Sequence, residues 1–209
     1  KKQLELTAQE LARSNAELEQ FASIASHDLQ EPLRTISNCL ERIEKKYGHS
    51  LESEATKYLQ FALQGSIRLR DLVTDLLAYS RVETKKSHFI ETESKLVVEE
   101  SIANLSKAIS ERQAQIFLGK LPRLFLDPQR IMQTFQNLIS NAIKYNTEPF
   151  PCVTITAKRN AKGWTFQVAD NGIGIAPKDS KRIFEMYERL HGRSKVSGTG
   201  IGLAICKKI

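Results

Sequence analysis

No apolar run in the 209 residues approaches the roughly 20 that span a bilayer, and no charged-then-apolar leader opens the chain. Neither a membrane span nor a secretory signal is therefore expected. The opening Lys-Lys-Gln-Leu already follows a helical pattern, so the chain reads as a piece of something longer. Cys39, Cys152 and Cys206 are an odd number at wide spacings. They make neither a disulfide framework nor a zinc site and favour a reducing, cytoplasmic compartment. Glycine is absent from the first 47 residues and proline occurs there only as Pro32.

What is present is soluble and globular in balance, with 41% apolar and 26% charged residues, enough for one large or two modest domains. The net charge of +7 is unevenly placed. Residues 1–83 carry 11 Lys/Arg against 13 Asp/Glu, and residues 84–209 carry 20 against 11. Lys178, Lys181, Arg182, Arg189, Arg193 and Lys195 gather near glycines, where they suit a polyphosphate as well as a nucleic-acid backbone.

The glycine-free opening is periodic. With Leu4, Leu11, Leu18 and Ala25 as d positions of a heptad, Ala8, Asn15, Ala22 and Leu29 fall at a. His27 then lands at f, farthest from the seam. Pro32, five residues on, has no N–H for the carbonyl of Asp28 and is expected to loosen that turn. A histidine so placed, with Asp28 and Glu31 nearby, is ordinarily a solvated side chain; it becomes a candidate nucleophile only if the chain holds something for it to attack.

Tyr47–Ser50 is a predicted turn, followed by a second helix with Leu59, Ala62, Ser66, Leu69, Val73, Leu76 and Ser80 spaced three and four apart. Two such helices form a hairpin that buries its stripes poorly alone, so a homodimeric four-helix bundle is expected. From about His88 strands and helices alternate. Strands are predicted at 89–92 and 115–118 around a helix from about Lys95 to Ser110, and another at 124–126. A helix is predicted to start at Asp127-Pro128, with an N-cap and then proline at the first position, and to reach about Tyr145. A hairpin of 153–159 with 164–169 turns around Asn160–Gly163. The last helix is expected near Gly200, giving an α/β sandwich.

Three stretches of this second part carry chemistry. Asn137 and Asn141 share a helix face with Lys144 beside them. An amide oxygen suits Mg²⁺, which takes few protein ligands beside phosphate oxygens, and lysine is a point charge for phosphate; a plain solvated face reads almost equally well. Asp170-Asn171-Gly172-Ile173-Gly174 ends a strand: its alternate glycines permit close backbone approach, and its carboxylate suits an adenine amine, although Asp-Asn-Gly is also a common turn. Gly198-Thr199-Gly200-Ile201-Gly202-Leu203 precedes a helix, where free N–H groups favour phosphate, yet the spacing is not that of a P-loop. Between the last two, Ile183–Arg189 leads into a polar stretch, His191–Ser197, that reads as a mobile lid.

Taken in order, the exposed His with Pro five later, Asn…Asn-Ala-x-Lys-Tyr, Asp-x-Gly-x-Gly, Phe-x-x-Tyr-x-Arg and Gly-Thr-Gly-x-Gly-Leu resemble the sensor histidine kinases of two-component signalling. The resemblance spans nearly the whole chain, and the opening run is similar to the signalling helix that follows PAS, GAF or phytochrome modules. It implies a coiled-coil signalling helix over 1–20, a dimerisation and histidine-phosphotransfer hairpin over 21–83, and a Bergerat-type ATP-binding domain, as in gyrase-like ATPases, over 88–209. His27 would attack the γ-phosphate of ATP and pass the phosphoryl group to an aspartate of a response regulator.

Asp28 would be the acid/base partner of His27, while helix geometry places Glu31 one turn along the same face to orient the imidazole. Asn141 would hold Mg²⁺, Asn137 would line the same site, Lys144 would meet phosphate and Tyr145 would flank adenine. Asp170 would read the adenine with Gly172 and Gly174 allowing its approach. Gly198, Thr199, Gly200, Gly202 and Leu203 would form the phosphate wall and lid hinge, and Arg189 would reach phosphate or the histidine helix. The implied partners are a second copy, a receiver domain and an upstream sensor on the same chain, with neither nucleic acid nor membrane.

The sequence departs from that pattern twice. Glu31 stands where members that also dephosphorylate their regulator often carry Thr or Asn, which speaks against a phosphatase activity. The sequence also stops at Ile209, before the pair of strands with which that domain normally closes: either the fragment is cut short or this member ends unusually, with a sheet edge left bare. A nucleotide-binding scaffold without turnover and a gyrase- or chaperone-like ATPase are the competing readings. The retained His, Asn and glycines speak against the first, and the His27 helix against the second.

Overall fold

The computed structural model describes residues 28–84, 87–190 and 198–209. The heptad run before them, His27 and the His191–Ser197 stretch lie outside the described residues. The chain divides into two compact units between Thr84 and Lys85.

The first unit is a helical hairpin. Helix α1 covers residues 28–47 and continues through Pro32. A single 3₁₀ turn, Gly48–Ser50, reverses the chain, with Ser50 Oγ donating to the Tyr47 carbonyl at 2.9 Å. Helix α2 is Ser53–Thr84. Leu33 and Ser37 of α1 are buried against the Ser66, Val73 and Leu77 side of α2. In the middle of this seam Ser37 Oγ and Ser66 Oγ are 2.8 Å apart, and Ser66 Oγ also donates to the Leu33 carbonyl at 3.4 Å.

The predicted α2 stripe combines two faces. Leu59, Ser66, Val73 and Ser80 are at least partly covered, while Ala62, Leu69 and Leu76 are exposed in the same unit. With Tyr58 and Phe61 these make a second apolar face. Helix α1 carries a matching one in Leu29, Ile36 and Ile43, seven residues apart, and Tyr47. A helix apolar on two sides has more to bury than one partner can cover.

The second unit begins with β1 (Ile90–Glu93), then α3 (Ser94–Asn104) and α4 (Ser106–Glu111). One helix is predicted there, but the chain breaks at Leu105, where φ is −102° and ψ 10°. Next come β2 (Gln115–Leu118), β3 (Arg123–Leu126) and α5 (Pro128–Lys144). The last elements are β4 (Cys152–Asn160), β5 (Gly163–Asp170), 3₁₀ turns at Pro177–Asp179 and Arg182–Phe184, and α6 (Gly202–Lys208). The last helix thus starts two residues beyond Gly200.

β1 and β3 form an antiparallel pair, while a separate sheet runs β2-β4-β5, parallel then antiparallel, leaving β5 at an edge. The core lies between this sheet and the helices: Val98 of α3, Phe135, Ile139, Ala142 and Ile143 of α5, and Val153 and Ile155 of β4. Phe135 meets Phe166 of β5 edge-on, ring centres 5.7 Å apart. The buried spacing of 135, 139, 142 and 143 is one helix face and the alternation of 153 and 155 one strand face. Burying one face of α5 leaves its other residues, Asn137, Asn141 and Lys144 among them, for other work.

Candidate nucleotide site and phospho-acceptor hairpin

On the hairpin, Asp28 and Glu31 are both exposed on α1. Glu31 lines a cavity of about 430 Å³ with Gln30, Arg34, Arg70 and Thr74. Gln30 Nε2 donates to Thr74 Oγ1 at 3.3 Å, tying the two helices together beside Glu31. The carboxylate therefore sits at a groove between helices with two guanidinium groups, Arg34 and Arg70, in its walls.

In the second unit Asp127 starts α5 as the dipeptide predicts. Its Oδ1 accepts from the backbone N–H of Gln129 at 3.1 Å and of Arg130 at 3.3 Å, and its Oδ2 accepts from His88 N at 3.0 Å. Arg130 Nε lies 3.6 Å from Oδ2. Burial pushes this carboxyl up, but the N–H groups of His88, Arg130 and Gln129 and the Arg130 charge outweigh it and hold it below the usual carboxylate range.

The far end of α5 meets the end of β5. Asp170 Oδ1 accepts from Gly172 N at 2.8 Å, and among the described residues its other oxygen has no protein partner. Ile173 N donates to the Tyr145 carbonyl at 3.1 Å. A Cβ built on Gly172 would lie 2.6 Å from that carbonyl oxygen and 2.7 Å from Asp170 Oδ1, so only glycine lets the loop close on the helix end. Gly174 takes φ +69° for a different reason, since its surroundings are open. Asn141 and Lys144 are on the last turn of α5; among the described residues the Asn141 amide has no hydrogen-bond partner and Lys144 no ion pair. Asn141, Lys144, Tyr145, Asp170, Gly172 and Gly174 thus share one neighbourhood.

Asn137 does something else. Its Nδ2 donates to the Gly202 carbonyl at 3.2 Å, joining α5 to α6. The same amide faces Cys206, whose Sγ lies 3.9 Å from the Thr134 carbonyl; burial pushes that thiol up despite the Asn137 hydrogen bond. Thr199 Oγ1 accepts from Ile201 N at 3.3 Å, and Leu203 is half-buried in the first turn of α6. Gly198 and Gly200 have φ of +149° and +79°. Gly200 packs against Tyr187 and Glu188, with Tyr187 N donating to its carbonyl at 3.1 Å. Tyr187 is itself left-handed at φ +64°, an uncommon state for a bulky residue. Arg189 shares a small cavity with Lys178, Asp179, Arg182 and Leu190, apart from the Asn141–Asp170 group.

Two residues that the sequence reading passes over stand directly behind the site. Asn146 is only 4% exposed, and its Nδ2 donates to Asn171 Oδ1 at 2.7 Å. In sequence both look like turn residues; their one signal is that each follows a site residue, Tyr145 or Asp170.

No three His, Cys, Asp or Glu side chains among the described residues form a group that could hold a metal. The donor set at α5 is instead a lone amide oxygen, which fits an ion bound mostly by phosphate and water, as Mg²⁺ prefers. No helix of the described residues is long and apolar enough to cross a membrane.

Comparison with known proteins agrees with this division. The His Kinase A (phospho-acceptor) domain matches residues 17–85, and the Histidine kinase-, DNA gyrase B-, and HSP90-like ATPase domain matches residues 126–209. The Phytochrome-like protein Cph1 of Synechocystis sp. is 44% identical over 97% of this chain, and cyanobacterial phytochrome A of Nostoc sp. is 45% identical over the same share. The chain spans about a quarter of the length of these relatives, 27% and 26%. Among solved structures, full-length ShkA in complex with AMPPNP has a TM-score of 0.67 and 25% identity over 90% of this chain and 40% of its own. The histidine kinase AdeS of Acinetobacter baumannii shares the fold at a TM-score of 0.56 and 22% identity, over 84% of this chain and 82% of its own. With a phospho-acceptor domain followed by a gyrase-like ATPase domain, the chain belongs to the sensor histidine kinases, alongside the phytochrome-like members of that family.

Proposed function

We propose that this chain is the kinase core of a two-component sensor: it phosphorylates His27 from ATP and relays the phosphoryl group to an aspartate of a response regulator receiver domain. The observation that carries the reading is the cradle where α5 meets the end of β5, joined in one chain to a phospho-acceptor domain that includes His27. Asp170 keeps one carboxylate oxygen for the adenine amine, and Gly172 lets the loop close beneath the base. Lys144 supplies positive charge for the phosphates. Asn141 would hold Mg²⁺, which when bound neutralises charge developing on the phosphate oxygens.

A neutral imidazole has one unprotonated ring nitrogen, free to act as a nucleophile. This nitrogen attacks the γ-phosphorus; a P–N bond forms as the bond to the bridging oxygen of ADP breaks. The remaining ring N–H then carries the positive charge, and a carboxylate accepts that proton or holds it in a hydrogen bond. Asp28 is our first choice for this partner and Glu31, four residues from His27, orients the ring.

Two copies pair through the hairpin. The stripes Leu29, Ile36, Ile43 and Tyr47 on α1 and Tyr58, Phe61, Leu69 and Leu76 on α2 are 38–69% exposed, and a second hairpin covers them in a four-helix bundle. A sensor domain precedes the hairpin on the same chain, and the free thiols Cys39, Cys152 and Cys206 suit the cytoplasm.

Label transfer from γ-labelled ATP tests the reading. Acid-labile, alkali-stable label on the chain, lost in His27→Ala, is expected. Release of free phosphate alone would make it an ATPase, and no turnover a scaffold. Autophosphorylation that survives Asp28→Asn and collapses in Glu31→Gln would exchange the two carboxylate roles.

A further inference from the structure

Asp170 and the Asn141–Tyr145 turn belong to different elements, yet a site that reads both ends of a nucleotide needs them at a fixed separation. Behind the cradle lies a continuous polar network. The Asn146 amide donates to Asn171 Oδ1 at 2.7 Å while its own Oδ1 accepts from Glu148 N at 2.9 Å. Asn171 Oδ1 takes a second hydrogen bond from Cys152 N at 2.7 Å, and its Nδ2 donates to the Phe150 carbonyl at 3.4 Å. The Asn146 carbonyl in turn accepts from Arg112 Nη2 at 2.7 Å, a bond made from the segment after α4 to the second residue beyond α5.

The network joins three separate stretches, at Arg112, at residues 146–152 and at Asn171. Asp170 is exposed at an edge strand, where its backbone pairs with Val153 of β4, and among the described residues the only hydrogen bond of its carboxylate is to Gly172 two residues on. The β4–β5 ladder places its backbone, and the tie to the end of α5 comes from its neighbours: Asn171 bonded to Asn146, and Gly172 and Ile173 against the Tyr145 carbonyl. Asn146 is buried and bonded through both its amide nitrogen and its amide oxygen, so shifting it away from Asn171 leaves polar atoms unpaired in a low-dielectric surround.

We propose that Arg112, Asn146 and Asn171 are positioning residues that hold Asp170 against the end of α5 and thereby set the preference of the site for adenine over guanine nucleotides. The proposal rests on the nucleotide reading above. Adenine offers an N–H donor where guanine offers a carbonyl, so a fixed carboxylate accepts the first and repels the second. A carboxylate free to drift discriminates less, because it can swing away from the wrong base.

The test is titration of the full chain with AMPPNP and with GMPPNP in the presence of Mg²⁺, alongside a thermal melt. Asn146→Asp keeps the size of the side chain but sets an oxygen against Asn171 Oδ1; Arg112→Met keeps the stem of an exposed residue and removes the bond to the Asn146 carbonyl. The ratio of the two dissociation constants is expected to fall about tenfold in Asn146→Asp and about threefold in Arg112→Met, and Arg112→Lys is expected to restore it. Should Asn146→Asp fail to fold, the Arg112 pair decides. Unchanged ratios in the folded variants, even with a lowered melting temperature, would reduce the network to a structural role and overturn the proposal. Equal binding of both nucleotides by the unaltered chain would overturn it too while leaving the kinase reading intact, and binding of neither would remove both.

Discussion

Replacing Gly172 with alanine isolates the fit on which the cradle depends. The added carbon would sit 2.6 Å from the Tyr145 carbonyl oxygen, a backbone atom that no rotamer can move. Bringing that contact back to 3.0 Å requires about 0.4 Å of separation between the loop and the end of α5. The Ile173 N–H to Tyr145 carbonyl bond, now 3.1 Å, would lengthen to about 3.5 Å, where it contributes little. Losing it costs about 1 kcal/mol. The displaced packing adds roughly another 1 kcal/mol. A loss near 2 kcal/mol lowers the melting temperature by roughly 8 °C for a unit of this size. Because the moved loop carries Asp170, ATP affinity should fall by about one to two orders of magnitude. Gly174→Ala is the control. At φ +69° it meets about 1 kcal/mol of backbone strain but no clash, so it should lower stability without the steric displacement. Melts and nucleotide titrations of both variants decide the matter; a Gly172→Ala chain as stable and as tight-binding as the original would refute the reasoning.

Other outcomes follow from single side chains. The carboxyl of Asp127 is held low when folded, so its contribution is complete above the unfolded value of about 3.9 and disappears as pH falls through the lower folded value. Asp127→Asn should cost about 1 kcal/mol at pH 7 and converge with the original chain in strong acid, measured by urea melts across pH; parallel curves would show that the charge plays no part. Cys39 is exposed, whereas burial raises the Cys206 thiol, so iodoacetamide should label Cys39 first and Cys206 only on unfolding, as mass spectrometry of the peptides would report. Leu69→Glu places a charge on the uncovered face of α2 and should convert a dimer to a monomer in sedimentation without unfolding the hairpin; a dimer that persists would mean that another face pairs.

Local chemistry made much of this architecture readable in advance. Asp127-Pro128 names a helix start because an N-cap acceptor and a residue without N–H both suit the first turn, and the alternation of Val153 and Ile155 names a strand. The division of the α2 stripe was less accessible, since three-and-four spacing does not distinguish one broad face from two. The break at Leu105 carries no glycine or proline to announce it. Asn146 and Asn171 were hidden more deeply, because an asparagine in a turn and an asparagine in a side-chain clasp have the same letter. Their difference arises only when strand order brings residues 25 apart to within 2.7 Å. Asn137 was legible as part of the α5 face, but its bond to the Gly202 carbonyl depends on where the last helix docks.

The hydroxyl pair of Ser37 and Ser66 gives the hairpin a detent. A seam made of aliphatic rungs alone would tolerate axial slippage, since one leucine level resembles the next. Moving either helix by a turn would separate these oxygens and leave each facing hydrocarbon, at about 1–3 kcal/mol apiece. Axial travel is thus opposed near the middle of the rod while rotation about that point is opposed far less, so a push arriving from the N-terminal end would be passed on as tilt rather than as piston stroke.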